Sequence, residues 1–172
     1  AEARTSEARG QDFLEAEDRR RQKNLGFRGR LEADPDRLAD FLEAGTFREI
    51  WEEIAARCYS CGSCNTTCPA CFCFTMDDVF DWDLQSGERR RAWDACQLLD
   101  FAAVAGGHRF REERWQSVRH RWHRKFLHLH RRFGRPFCTG CGRCSRACTA
   151  DINILDETNR IVAAATKGRA HG

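Results

Sequence analysis

Cys58-Tyr-Ser-Cys61-Gly-Ser-Cys64-Asn-Thr-Thr-Cys68-Pro69 has a partner further along the chain, Cys138-Thr-Gly-Cys141-Gly-Arg-Cys144-Ser-Arg-Ala-Cys148, and both read C-x2-C-x2-C-x3-C. This is the spacing with which thiolates hold a cubane iron–sulfur cluster. Three on a tight loop reach three corners of one cube, and the fourth, displaced onto the following segment, reaches the neighbouring cluster. Two copies predict two [4Fe-4S] clusters with crossed ligation: Cys58, Cys61, Cys64 and Cys148 on the first, Cys138, Cys141, Cys144 and Cys68 on the second. Gly62, Gly140 and Gly142 lie between ligands, where the missing side chain lets backbone N–H groups approach the sulfurs.

A zinc ribbon split between Cys58-x2-Cys61 and Cys138-x2-Cys141 would leave Cys64, Cys68, Cys144 and Cys148 without a role. Iron–sulfur ligation uses all eight. Crossed ligation makes the clusters neighbours, which favours electron transfer over a purely structural staple.

The 172 residues suit one domain with tails. Eleven cysteines would suit a secreted disulfide framework, but the count is odd and the spacing is that of metal ligands, so a reducing cytoplasm is the expected location. No apolar run is long enough to span a membrane and the start has no signal-peptide core. The chain begins at Ala1 and its sole methionine is Met76, so a piece of a longer polypeptide is expected. A net charge of +3 gives no global argument for nucleic acid. Between His108 and Arg135, however, stand ten Arg or Lys and five His against Glu112 and Glu113. These charges read as the solvated face of an amphipathic helix, in part paired with Asp77 to Asp83, or as a docking face for a protein; no nucleic-acid module is recognisable.

The expected fold class is α+β, mainly helical, with a bacterial two-[4Fe-4S] ferredoxin-like core and a long helical insertion between the cluster motifs. Residues 1–33 form a charged arm or surface helix, 34–155 the two-cluster domain with its insertion over 72–135, and 156–172 a C-terminal hairpin and tail. Asp34-Pro35 begins a helix carrying Leu38, Phe41 and Leu42, which stops at Gly45. Thr46 and Glu49 form a capping box for a helix that buries Phe47, Ile50, Trp51 and Ile54 and ends on Cys58. Within the insertion one helix is predicted over 88–105, closed by Gly106-Gly107. A second is predicted over 112–132 from Trp115, Val118, Trp122, Phe126, Leu129 and Phe133. Ile152, Ile154 and Leu155 read as a short strand that pairs with Ile161-Val162, and residues 167–172 as a frayed tail.

Cys68-Pro-Ala-Cys71-Phe-Cys73-Phe, Arg91-Ala-Trp93-Asp94-Ala-Cys96-Gln97, the run from Asp100 to Arg111 and the motif from Cys138 to Cys148 together resemble one family. It is the iron–sulfur (beta/A) subunit family of anaerobic sulfite reductase and cytoplasmic sulfhydrogenase, and the resemblance runs over roughly Trp51 to Ile154. It implies an electron relay with two four-iron clusters, placed between a flavin subunit that handles NAD(P)H and a catalytic oxidoreductase partner of the hydrogenase or sulfite/sulfur reductase type. Thr149 stands where the usual motif has the proline that Pro69 supplies in the first copy.

No nucleophile with a base, phosphate loop or dinucleotide fingerprint is visible, so the chain is not expected to be catalytic alone. The alternative function is an iron–sulfur-containing nucleic-acid-binding or structural module. Cys71, Cys73 and Cys96 are left over by the two-cluster scheme. They are open to three readings: ligands of a third cluster, with His108 or Asp77 as a non-cysteine fourth or with an open corner; a substitute fourth ligand or a thiol set against cluster sulfur; or inert packing. His120, His123, His128 and His130 do not share one helix face and are not expected to bind a metal together.

Overall fold

The computed structural model describes residues 6–27 and 29–169. Residues 1–30 form one unit and 31–172 a second. In the first, helix α1 (Gly10–Leu25) is polar nearly all round and buries none of its residues. Its order comes from local electrostatics: the Asp12 carboxylate accepts the Arg9 N–H at 2.7 Å, and Arg21 pairs with Asp18. Each such pair contributes only a few tenths of a kcal/mol, about 0.2–0.5.

The second unit is built on helices. Asp34 accepts the Asp36 N–H at the head of a 3-10 turn, Pro35–Arg37, that runs into α2 (Leu38–Glu43), with Leu38, Ala39 and Leu42 buried. α3 (Arg48–Arg57) follows, but its cap is not Thr46. Phe47 occupies that position in left-handed backbone, φ 47°, and the Thr46 carbonyl accepts the Trp51 indole N–H at 2.9 Å instead. Burying that indole fixes the turn, and the local capping signal gives way to it. α5 (Arg114–His123), a π-turn over Arg124–His128 and α6 (Leu129–Phe133) together make the helix predicted over 112–132. Val118, Trp122, Phe126 and Leu129 are buried, while Phe133 at the far end is exposed.

Between α3 and α5 the insertion departs from the predicted pair of helices. The helix expected over 88–105 does not form; strands β1 (Phe74–Phe80) and β2 (Gly87–Trp93) pair antiparallel from Phe74↔Trp93 to Phe80↔Gly87. The reason lies across the strands. Arg89 donates two hydrogen bonds to Asp78, at 2.7 and 2.8 Å, and Asp83 accepts the N–H groups of Gln85 and Ser86 in the turn. Asp78 is therefore paired within its own hairpin, not with the basic segment as expected. Gly87 is required by close approach: a Cβ there would lie 2.8 Å from the Val79 carbonyl. Asp94 N–H continues the pairing to the Cys73 carbonyl at 3.1 Å.

The predicted C-terminal hairpin is instead a helix, α8 (Ile154–Arg169). Asn153 caps it, its side-chain oxygen accepting the Leu155 N–H at 3.0 Å, and Asp156 and Glu157 stand at the positive end of the dipole. Ile154, Ile161, Val162 and Ala165 recur at helical spacing and are buried. Ile152, Ile154, Leu155, Ile161 and Val162 satisfy both a short hairpin and a helix; the cap and the long core-facing stripe decide. α8 packs on α2, and Trp122 donates to Thr158 Oγ1 at 3.1 Å. Arg57 and Arg160 both engage the buried Glu157 carboxylate. Trp51 and Trp122 meet at 5.8 Å between ring centroids near the middle of this core, a contact that adds about 0.5–1.5 kcal/mol to their area burial.

Candidate metal centre

The two cysteine motifs fold alike. α3 ends by delivering Cys58, whose N–H still donates to the Ile54 carbonyl at 3.1 Å. The loop then turns through Ser60 (φ 55°) and Gly62 (φ 74°) into the single turn α4 (Ser63–Thr66), which carries Cys64. In the second copy Gly140 (φ 67°) and Gly142 (φ 69°) lead into α7 (Arg143–Arg146), which carries Cys144. Left-handed backbone at these points bends each loop around its thiols, and α4 packs against α7.

That packing draws the distant fourth cysteine in. Cys58, Cys61, Cys64 and Cys148 line one cavity, walled on its apolar side by Ile54, Val118, Trp122 and Ile152. Cys144 also reaches this cavity. Cys68 lies toward the second motif, where its charge and that of Cys144 add to the burial that pushes the Cys138 thiol up. Cys61 and Cys141 are the exposed members of their sets; hydrogen bonding with Ser63 lowers the first, and with the Arg143 N–H the second. Burial pushes Cys64 up to about 11. Among the described residues no three Cys, His, Asp or Glu side chains close in as they would on a single ion.

Two cations in this region were not legible in the sequence. Arg121 is 4% exposed, lines the first cavity, and has no hydrogen-bond partner for Nε or Nη2 among the described residues. Lys125 is 3% exposed and donates from Nζ to Cys68 Sγ at 3.2 Å. Burial works against the charge of each, and the surrounding thiols outweigh it, so both stay protonated. Arg121 already bonds Cys144 and Lys125 bonds Cys68, but a buried cation costs several kcal/mol unless its remaining donors also face an anion. An anionic thiolate-bound cluster fits that wall, and cysteine thiols line the same cavity. The only sequence signal was a Lys and an Arg beside positions of an otherwise apolar stripe.

The three remaining cysteines are also brought together. Cys71, Cys73 and Cys96 line a second, smaller cavity with Asn65, Arg121, Arg124 and Lys125. Cys96 and Cys73 hydrogen-bond to each other, which, with Asn65 and Gln97, draws Cys96 down to about 6 and holds Cys73 up. Contact with Cys71, reinforced by Lys125, draws Cys68 down to about 4. His108 and Asp77 do not line it: His108 is exposed, edge-on to Phe110 at 5.1 Å, and Asp77 is exposed on β1. His120 and His123 are each pushed down to about 4, first by burial and then by neighbouring cations. Much of the basic segment is spent locally: Arg131 on Asp40 and Glu43, Arg124 over the Phe72 ring. Among the described residues no helix is long and apolar enough to cross a membrane.

The family model of the 4Fe-4S dicluster domain matches residues 57–152. The chain is 36% identical over 124 residues to sulfhydrogenase 2 subunit beta of Pyrococcus furiosus, a match covering 70% of this chain and 36% of that subunit. The chain thus spans about a third of the length of the curated relative it matches. No solved structure matches significantly. With the motif, the cavity and the family model all falling on the same residues, the chain belongs to the 4Fe-4S dicluster domain family.

Proposed function

We propose that this chain is an electron-transfer subunit with two [4Fe-4S] clusters, held by Cys58, Cys61, Cys64 and Cys148 and by Cys138, Cys141, Cys144 and Cys68. It relays electrons in the cytoplasm between a catalytic oxidoreductase subunit of the hydrogenase or sulfite/sulfur reductase type and a flavin/NAD(P)H-binding subunit. It is not catalytic alone. The observation that carries the reading is the cavity in which three cysteines of the first motif meet Cys148 of the second. The relay role draws support from the similarity to a sulfhydrogenase beta subunit.

A bound four-iron cluster accepts and returns one electron. The chain's own residues set the conditions. Ile54, Val118 and Trp122 keep water from one side of the first site, Arg121 and Lys125 offset negative charge, and the exposed Cys61 and Cys141 mark the edges a redox partner can approach. The hairpin β1–β2 exposes Phe80, Trp82 and Trp93. An isolated two-stranded hairpin is marginal in water, so we assign this arm to the catalytic partner.

Anaerobic reconstitution tests the reading. At least about eight irons are expected, with Cys148→Ser perturbing the same spectroscopic component as Cys58→Ser, and Cys68→Ser the same one as Cys138→Ser. Tightly bound zinc without charge-transfer absorption would end it. Anaerobic co-purification identifies the partner; a monomer accompanied by no oxidoreductase subunit would sink the relay.

A further inference from the structure

We propose that Cys71, Cys73 and Cys96 bind a third iron–sulfur cluster through three thiolates, a site beyond the two-cluster relay. Three separated positions are brought to one place by the hairpin. Cys71 and Cys73 lie just before β1, Cys96 just after β2, and the strand register together with the Asp94 N–H to Cys73 carbonyl bond returns Cys96 to Cys73. Cys73 and Cys96 are buried, and all three line one cavity.

The surroundings are those of a ligand site, not of apolar packing. Asn65, itself buried, donates from Nδ2 to Cys96 Sγ at 3.2 Å and to Cys71 Sγ at 3.6 Å. Gln97 points its amide nitrogen at Cys96 Sγ from 3.8 Å. Arg121, Arg124 and Lys125 complete the wall, and Arg121 brings the guanidinium nitrogens that lack a partner among the described residues. Three thiols and three cations share the lining, so the cavity suits a group that binds through thiolates and carries net negative charge. Among the described residues its lining has no carboxylate or imidazole. The cluster is therefore held by three cysteines, either as a three-iron cluster or as a four-iron cluster with one iron not bound by this chain.

The internal repeat points the same way. Asn65, Cys71 and Cys73 occupy, motif for motif, the places of Ser145, Asp151 and Asn153. In the second copy Ser145 and Asn153 bond to each other and organise the start of α8. The first copy has no helix there; it has two cysteines and an amide that donates to Cys71 and to Cys96. Asn65 also accepts the Cys64 thiol at 3.4 Å, so one side chain joins this site to the first cluster's cysteines. On ligation of a cluster already assembled on small thiols, the contact between the Cys73 and Cys96 thiols is replaced: each cysteine forms one Fe–S bond, the small thiolate it displaces takes up the cysteine proton and leaves, and the oxidation state of the core is unchanged.

The test is an iron and sulfide count, with native mass spectrometry, on the full chain reconstituted anaerobically with ferric iron, sulfide and excess small thiol. About eleven or twelve irons are expected, and Cys96→Ser loses three or four of them together with one paramagnetic component while two components persist. A wild-type count near eight overturns the third site and leaves the relay standing; no iron overturns both. Zinc in these three positions, or Cys73 and Cys96 recovered as a disulfide by anaerobic alkylation, overturns it as well. The wild-type count decides even if Cys96→Ser fails to fold.

Discussion

Lys125 holds its ammonium nitrogen 3.2 Å from Cys68 Sγ while almost wholly buried. It sits in the π-turn Arg124–His128, whose wider winding turns Lys125 inward between the apolar positions Trp122 and Phe126. The π-turn thus places a cation against the cysteine assigned to cross between motifs. Replacing it by an uncharged side chain of similar length, Lys125→Met, removes one positive charge without opening a large cavity. The reduction potential of one cluster is expected to fall by roughly 50–100 mV, with iron content unchanged. Spectroelectrochemistry of wild type and variant checks this, and equal potentials would remove Lys125 from any electrostatic role.

His120 and His123 are neutral in the fold because burial holds them near 4, well below the ordinary value of 6.5. Unfolding releases rings that take up protons, so their contribution is complete above about pH 6.5 and is lost as pH falls toward 4. The predicted loss is on the order of 1 kcal/mol per ring at pH 5. Anaerobic urea midpoints at pH 7 and pH 5 for His123→Gln are expected to show a smaller pH dependence than wild type.

Ser60 adopts φ 55° where the second motif has Gly140 at 67°, and its buried Oγ has no partner among the described residues. Ser60→Gly relieves both costs. The holo-protein is expected to gain about 1 kcal/mol, read as a shift in denaturation midpoint.

Thr158→Val keeps shape but leaves the buried Trp122 indole N–H without its acceptor. A loss of about 1–3 kcal/mol is expected. Trp122→Phe in the same background should cost less than it does alone, and a double-mutant cycle measures the difference.

Phe80 and Trp82 stand at the exposed end of the hairpin. Substituting both with Ser is expected to weaken capture of the catalytic partner at least tenfold, about 1.4 kcal/mol, with the iron count unaffected. Unaltered capture would place the partner elsewhere on the chain.

Sequence by itself pointed to iron–sulfur chemistry. The cysteine spacing is a short-range property of the chain, so the 4Fe-4S dicluster region was legible without a fold, as was the helix that ends on Cys58. The amphipathic stripe from Trp115 to Leu129 was legible for the same reason, since its period is local. Only the tertiary structure decided which distant groups meet. Asp78 and Arg89 pair across a hairpin, so a basic stretch that reads as helix becomes a strand. The cap at Asn153 turns a would-be hairpin into α8 because Ser145, from the preceding motif, braces it. Arg121 and Lys125 face inward because thiols on other segments offset their desolvation. Cys71, Cys73 and Cys96 share a cavity because strand pairing brings Cys96 back to Cys73, a long-range contact that no local pattern of residues encodes.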